Sequence, residues 1–336
     1  MENRNHLQEF QTQARIVGQA PAFLRAIEKL PAIAQSSASV LIGGESGTGK
    51  ELIARAIHYL SDRAPYAFVA VNCGSFPDSL LESELFGHER GAFTTAYARR
   101  DGLIAQADGG TLFLDEVDSL SPKAQVDLLR VLQDKKFRLV GSSTERQSNV
   151  RFVAATNAAM EPLLRSGAFR SDLFYRLCVF SIPLPALRER REDIMALAEH
   201  LVEKHRPSNG RPCSFSPAAR EVMMACDWPG NVRELENAVI RGIYLSTGNV
   251  IEVEDLGLAA PASQVEGHEG PLLFKDAKRA AVASFEREYL GRLLSQFRGN
   301  ITNAARAAGK DRRDLGRLLK KHRLDPKAYL LRQEIA

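Results

Sequence analysis

Gly44-Glu45-Ser46-Gly47-Thr48-Gly49-Lys50-Glu51 follows a short apolar run, Val40-Leu41-Ile42, and opens the amphipathic segment Leu52-Ile53-Ala54-Arg55-Ala56-Ile57. A strand feeding a glycine-rich turn that feeds a helix is the context a phosphate-binding loop requires. The glycines let the backbone turn its N–H groups toward an anion, and the helix N-terminus adds the positive end of its dipole. Lys50 supplies a point charge for terminal phosphates. One position departs from the general pattern: Glu51 stands where a Ser or Thr hydroxyl normally meets Mg²⁺.

Outward from this loop, short apolar runs alternate with helical patterns up to residue 182. The runs are Val40–Ile42, Ala67–Val71, Thr111–Leu114, Val150–Ala155 and Cys178–Ile182. That alternation predicts an α/β fold with a parallel sheet covered on both faces. Ahead of it, Ile16-Val17-Gly18 leads into Ala22–Ala34, where Phe23, Ala26, Ile27 and Leu30 recur at helical spacing. The third run ends in Leu112-Phe113-Leu114-Asp115-Glu116, the form of a Walker B segment. Asp115 is placed to hold Mg²⁺ and Glu116 to polarise an attacking water.

Between the two motifs lies a stretch that phosphate chemistry does not call for, Glu82 to Ala96, ending Gly91-Ala92-Phe93-Thr94-Thr95-Ala96. A loop of small residues with one exposed Phe predicts a contact surface. The alternative is that Phe93 folds back into the core.

Beyond residue 182 the pattern is all-helical. Pro183 and Pro185 punctuate the boundary, Asp193–His205 is amphipathic, Pro217 opens a helix through Ala225, and Asn231 is placed to cap the helix after Trp228-Pro229-Gly230. Residues 257–271 read as a linker, rich in Ala, Pro, Gly and Ser. A long helix from Lys275 to Phe297 follows, then a break at Gly299-Asn300, a short helix Ile301–Ala308, a turn at Gly309 and a basic helix Arg312–Lys321. That layout is a helix-turn-helix, with a plain helical hairpin as the alternative. Arg312, Arg313, Arg317, Lys320 and Lys321 are the candidate groove and phosphate contacts on double-stranded DNA.

Charge supports the division. From Pro271 onward there are 16 Lys/Arg against 7 Asp/Glu, whereas residues 1–270 hold 29 against 34. A basic terminal domain on a mildly acidic body points to nucleic-acid contact confined to the C-terminus. Four cysteines without a C-x-x-C pair read as reduced thiols, and no apolar run reaches the roughly 18–20 residues of a membrane span. The expected location is cytoplasmic, with no membrane partner.

These motifs, in this order from about Ile16 to Leu324, resemble the bacterial enhancer-binding proteins, AAA+ ATPases that activate transcription by sigma-54 RNA polymerase. The resemblance implies an AAA+ α/β subdomain (15–182) after a short tail (1–14), a helical lid (183–256), and a helix-turn-helix domain of the factor-for-inversion-stimulation type (272–336). The family's own phosphate loop carries a Glu at the position of Glu51. Asn72 matches an asparagine that holds the catalytic glutamate, and Asp115 and Glu116 match the Walker B pair. Thr156 and Asn157 match sensor I, Arg170 and Arg176 the arginine fingers, and Arg233 sensor II. Ile16 and Val17 match the segment near the adenine. The implied cofactors are ATP and Mg²⁺. The implied partners are the sigma-54 holoenzyme, an upstream DNA site, and further copies of the chain in a hexameric ring, paired through the C-terminal domain.

Two departures from the family matter. Its sigma-54 contact loop reads G-A-F-T-G-A, and here Thr95 replaces the second glycine, removing access to positive φ and stiffening the tip. The alternative function is therefore regulation of the housekeeping polymerase, with ATP serving assembly; a general protein remodeller is disfavoured by the basic helix-turn-helix. Only residues 1–14 precede the ATPase core, where most relatives carry a sensing domain. Control is thus expected from a separate regulatory protein, from nucleotide, or from expression level.

Overall fold

The computed structural model describes residues 16–206, 213–258, 290, 293–294, 297 and 300–322. The chain divides into two compact units, Met1–Ser263 and Gln264–Ala336.

The first unit is built on five parallel strands, in the order Phe68–Asn72, Thr111–Asp115, Arg151–Thr156, Val40–Gly43, Phe180–Pro183. Each matches one of the expected apolar runs to within two or three residues at its ends. Side chains alternate across the sheet, as strand geometry dictates. Leu112, Leu114, Phe152 and Ala154 enter one core with the helices Asp78–Phe86 and Pro122–Asp134. Val40, Ile42, Phe113, Val153 and Ala155 enter the other, with Phe23, Ile27, Ile53 and Ile57. All six residues of Arg151–Thr156 are buried, as a central parallel strand requires.

The helical pattern over 22–34 forms two helices, Pro21–Ile27 and Leu30–Gln35. Pro31 explains the break: its ring has no N–H to give and excludes the carbonyl one turn back, so it sits in the first turn of a new helix. Two short hairpins stand out from the sheet layer. One pairs Gly87–His88 with Arg100–Asp101, the other Lys136–Arg138 with Glu145–Gln147. They meet where His88 bridges to Val140.

The helical part of this unit contains Ile194–His205, Pro217–Ala225, Asn231–Leu245 and Val253–Leu256 around a core that includes Leu197, Leu201, Leu235 and Val239. Trp228 is fully buried there, and its indole N–H donates to the Met223 carbonyl at 2.9 Å.

In the second unit, Ile301–Ala307 and Arg312–Lys321 pack through Ala304, Ala305, Leu315 and Leu319 against Leu290, Leu293 and Leu294. The Asn300 side chain caps the first helix, accepting from the N–H groups of Thr302 and Asn303. The chain turns at Gly309 with φ +62°, a conformation that favours glycine. The expected long helix Lys275–Phe297, most of the linker 257–271 and the tail 1–14 lie largely outside the described residues. Among the described residues no helix is long and apolar enough to cross a membrane.

Candidate nucleotide site and contact surfaces

Parallel strands deliver their carboxyl ends to one edge of the sheet, where α/β proteins bind ligands. Here that edge carries Gly43, Asn72, Asp115 and Thr156, with Gly43 level with Thr156 and Asn72 level with Asp115. Gly44 to Gly49 turn above it into the helix Lys50–Tyr59. Lys50 is buried, and its ammonium donates to the carbonyls of Gly44 at 2.7 Å and Glu45 at 3.0 Å. Burial lowers its pKa, opposed by the charges of Asp115 and Glu116. Thr48 donates its hydroxyl to the Glu45 carbonyl at 2.8 Å. Glu51 pairs with Arg55 one turn along the same helix at 2.7 Å.

Asp115 is half-buried, and its carboxylate accepts the Glu116 N–H at 3.0 Å. Burial raises its pKa, countered by that N–H and by Lys50. Glu116 holds a left-handed conformation, φ +52°, that is costly for a side chain and is commonly found at functional sites. A Cβ on Gly74 would stand 2.6 Å from Glu116 Oε2 and 3.4 Å from Asn72 Oδ1, so both side chains hang over the Gly74 backbone. Asn72 does not hold Glu116 directly, however: its carbonyl oxygen accepts the Gly74 N–H at 2.8 Å, capping the turn Cys73–Ser75. Thr156 donates to Asp118 Oδ1 at 2.5 Å, while Asn157 is exposed. Sequence reasoning did not single out Asp118; its signal was a third carboxylate three residues beyond Asp115. Burial first, then Asp115, Asp118 and Glu116, push the Cys73 thiol beneath this edge up to about 12.

The helical part reaches across to the loop. Arg233 Nη1 donates to Ser46 Oγ at 3.2 Å. Asn231 does not cap its helix. Gly230 takes the capping position, and Asn231, fully buried at φ +53°, donates to the Ser46 carbonyl at 3.0 Å and to Glu45 Oε2 at 3.1 Å. Arg188, Arg190 and Asp193, which no motif marks, complete the junction. Arg188 grips the Glu45 carboxylate, Arg190 donates to the Thr48 carbonyl at 2.9 Å, and Asp193 accepts the N–H groups of Gln19 and Ala20. Sequence patterns show which face of a helix is apolar, but not which distant loop a polar side chain reaches. Beside Thr48 and Gly49 opens a cavity of about 1380 Å³ with Ile16, Val17, Phe23 and Leu201 on its walls. Apolar walls next to an anion cradle suit a flat base attached to a phosphate chain.

The oxygen donors at this edge fit Mg²⁺, a hard cation that takes one or two carboxylates alongside substrate phosphates. Asp115 stands at the end of its strand, level with Asn72, where its charge and that of Lys50 act on each other. Glu51, paired with Arg55, also lines the cavity beside Thr48 and Gly49.

Arg170 and Arg176 are both exposed and stand outside this cluster; Arg170 pairs with Asp172 at 2.7 Å. The stretch Gly91–Ala96 closes on itself, with the Gly91 N–H donating to the Ala96 carbonyl at 2.8 Å and the Ala96 N–H to that of Phe93 at 2.9 Å. Phe93 is not the exposed aromatic that the sequence predicts. It is half-buried, edge-on to His88 at 4.9 Å, because the hairpin supplies a ring for it to pack on. Tyr97, 81% exposed, is the aromatic in solvent. Thr94 and Thr95 are exposed at the tip, and Thr95 keeps a negative φ in this closed form. Ala92 packs against Gly141, so the two hairpins share one surface.

On Arg312–Lys321, Leu315 and Leu319 face inward, leaving Arg312, Arg313, Arg317, Lys320 and Lys321 all exposed.

Comparison with known proteins agrees with this layout. Residues 16–183 match the sigma-54 interaction domain, and residues 188–270 match the AAA+ ATPase lid domain. The chain is 45% identical over 315 residues to the transcriptional regulatory protein GlrR of Escherichia coli (strain K12), an alignment covering 92% of this chain and 68% of that one. It is 42% identical over 315 residues to the regulatory protein AtoC of the same organism, covering 93% and 68%. Among solved structures, NtrX from Brucella abortus in complex with ATP superposes with a TM-score of 0.69 at 33% identity, covering 95% of this chain and 72% of that one.

Proposed function

The chain belongs to the sigma-54-interacting AAA+ transcriptional regulators, and from that premise we propose that it hydrolyses ATP to ADP and phosphate and uses the cycle to drive open-complex formation by sigma-54 holoenzyme. The observation that carries the reading is the convergence of Lys50, Asp115, Glu116 and Arg233 at the carboxyl edge of the sheet. The loop N–H groups and Lys50 bind the triphosphate, and the cavity beside Ile16 and Val17 takes the adenine. Asp115 would hold Mg²⁺, which when bound neutralises charge on the phosphate oxygens. Glu116 orients and deprotonates the attacking water. Thr156, tied to Asp118, and Asn157 sense the terminal phosphate, as does Arg233. Asn72, through Gly74, positions the backbone under Glu116.

Arg170 and Arg176 face solvent in the single chain, which favours a role in trans on a neighbouring subunit's phosphate within a hexameric ring. A mixture of inactive Arg170→Ala and inactive Glu116→Gln chains should then recover turnover; a mixture as inactive as its components would contradict the ring. The stretch Gly91–Ala96 is the sigma-factor contact. The basic helix Arg312–Lys321 enters the major groove of an upstream site, with pairing of the C-terminal domains suiting a palindrome.

Phosphate release and nucleotide binding by the purified protein test the ATPase reading. Lys50→Ala should lose binding. Glu116→Gln should keep binding and lose about a hundredfold or more in turnover; turnover that survives Glu116→Gln would refute its assignment as the base. A second reading, activation of the housekeeping polymerase with ATP used for assembly, is favoured by one observation, the exposed Thr95 at the contact tip. Transcription with the housekeeping factor alone would support it.

A further inference from the structure

Three successive carbonyls of the phosphate loop are held from the lid side. Ser46 C=O accepts from Asn231 Nδ2 at 3.0 Å, Gly47 C=O from the Val232 N–H at 2.9 Å, and Thr48 C=O from Arg190 Nη2 at 2.9 Å. A trans peptide places its C=O and the following N–H on opposite sides of the plane. Holding these carbonyls on the lid side therefore turns the N–H groups of Gly47, Thr48 and Gly49 away from the lid, that of Thr48 meeting the Glu45 carbonyl within the loop at 3.4 Å. Gly47 allows the contact: it lies at φ +78°, and a Cβ there would stand 2.2 Å from the Gly230 carbonyl.

Glu45 is drawn into the same junction. Both of its oxygens accept from Arg188, at 2.8 and 2.5 Å, and Oε2 also accepts from Asn231 Nδ2 at 3.1 Å. Asn231 in turn accepts the Leu187 N–H at 2.7 Å, so one buried amide ties the loop to both ends of the lid's entry.

We propose that Glu45, although it lies inside the phosphate loop, is a positioning residue and not a nucleotide contact: with Arg188 and Asn231 it latches the lid to the loop, and the latched lid orients the peptide planes that bind phosphate. Nucleotide release is then gated by the lid, because a lid that swings away frees the three carbonyls and lets the cradle's N–H groups turn. The latch rests on the reading of Gly44–Lys50 as a triphosphate site. It assigns Arg188, which no phosphate-loop pattern contains, a direct influence on nucleotide residence time.

Stopped-flow dissociation of a fluorescent ATP analogue from Glu45→Gln, Arg188→Gln and the double variant tests it. The pair is partly exposed (44% and 41%), so each single variant should fold, with the melting temperature of the nucleotide-free protein changed by no more than about 2 °C. Each should release the analogue about threefold faster, and the double variant no faster than either single, since the two act through one contact. Unchanged release in Arg188→Gln, or effects that multiply in the double variant, would overturn the latch. Lys50→Ala run alongside separates the two levels: undiminished binding there would sink the triphosphate reading itself.

Discussion

Glu116 and Asn231 are two of only four non-glycine residues at positive φ among those described, and both stand at the nucleotide edge. Each such conformation costs on the order of 1 kcal/mol or more and persists because the surroundings over-determine it. At Asn231 those surroundings are its hydrogen bonds to Leu187, Glu45 and Ser46. Glu45 adds a pH signature. The Arg188 hydrogen bonds, then that of Asn231, hold its carboxyl at about 2 against an ordinary value of 4.5. A depressed folded pKa makes the unfolded chain bind the proton first. The pair's stabilisation is thus fully present above pH 4.5 and is lost as the pH falls toward 2. Urea unfolding followed across that window should show a shallower acid decline in Glu45→Gln than in the parent; an identical decline would contradict the pairing. The effect will be modest, because water screens a half-exposed pair.

At the scale of elements, the sheet is legible in the sequence because its strands are apolar runs bounded by turn residues, and the phosphate loop and Asp115-Glu116 are legible because they sit at strand ends. The hairpin Lys136–Arg138/Glu145–Gln147 is not, since five of its six strand residues are polar or charged and its one apolar anchor is Phe137. Phe93 reads as exposed because its immediate neighbours are small; His88, five residues earlier, covers it only once the first hairpin forms. Asn231 reads as a cap because Asn before a helix usually is one, whereas here the closest contacts of its side chain, to Leu187, Ser46 and Glu45, lie more than 40 residues away in sequence. The contact tip carries its own prediction. Thr95→Gly restores access to positive φ, so binding of sigma-54 to the ATP-analogue-bound protein should tighten by about twofold to fivefold, corresponding to the ~0.5–1 kcal/mol scale of a local backbone effect. Weaker binding would mean that the Thr95 side chain itself makes the contact.

For the molecule as a whole, residues 1–270 carry a mildly acidic balance and those from Pro271 onward a basic one, a division that the proposed function uses to set ATP turnover apart from DNA placement. If Arg312–Lys321 reads DNA, Arg313→Ala should weaken binding and lower the slope of log K against log salt by about 0.9 for each phosphate that the side chain neutralises. An unchanged slope in a filter-binding or anisotropy titration would remove Arg313 from the interface. Turnover without DNA should be untouched by that change, because Arg313 belongs to one compact unit and the nucleotide site to the other.

Open-complex formation on a sigma-54 promoter in a purified system bears most directly on the central claim that the hydrolytic cycle at Gly44–Lys50 and Glu116 acts on sigma-54 holoenzyme. Permanganate footprinting of the melted strand should detect open complexes only with this protein, sigma-54 holoenzyme and hydrolysable ATP together, and none with Glu116→Ala. Melting that persists with Glu116→Ala, or that occurs only with the housekeeping sigma factor, would contradict the account.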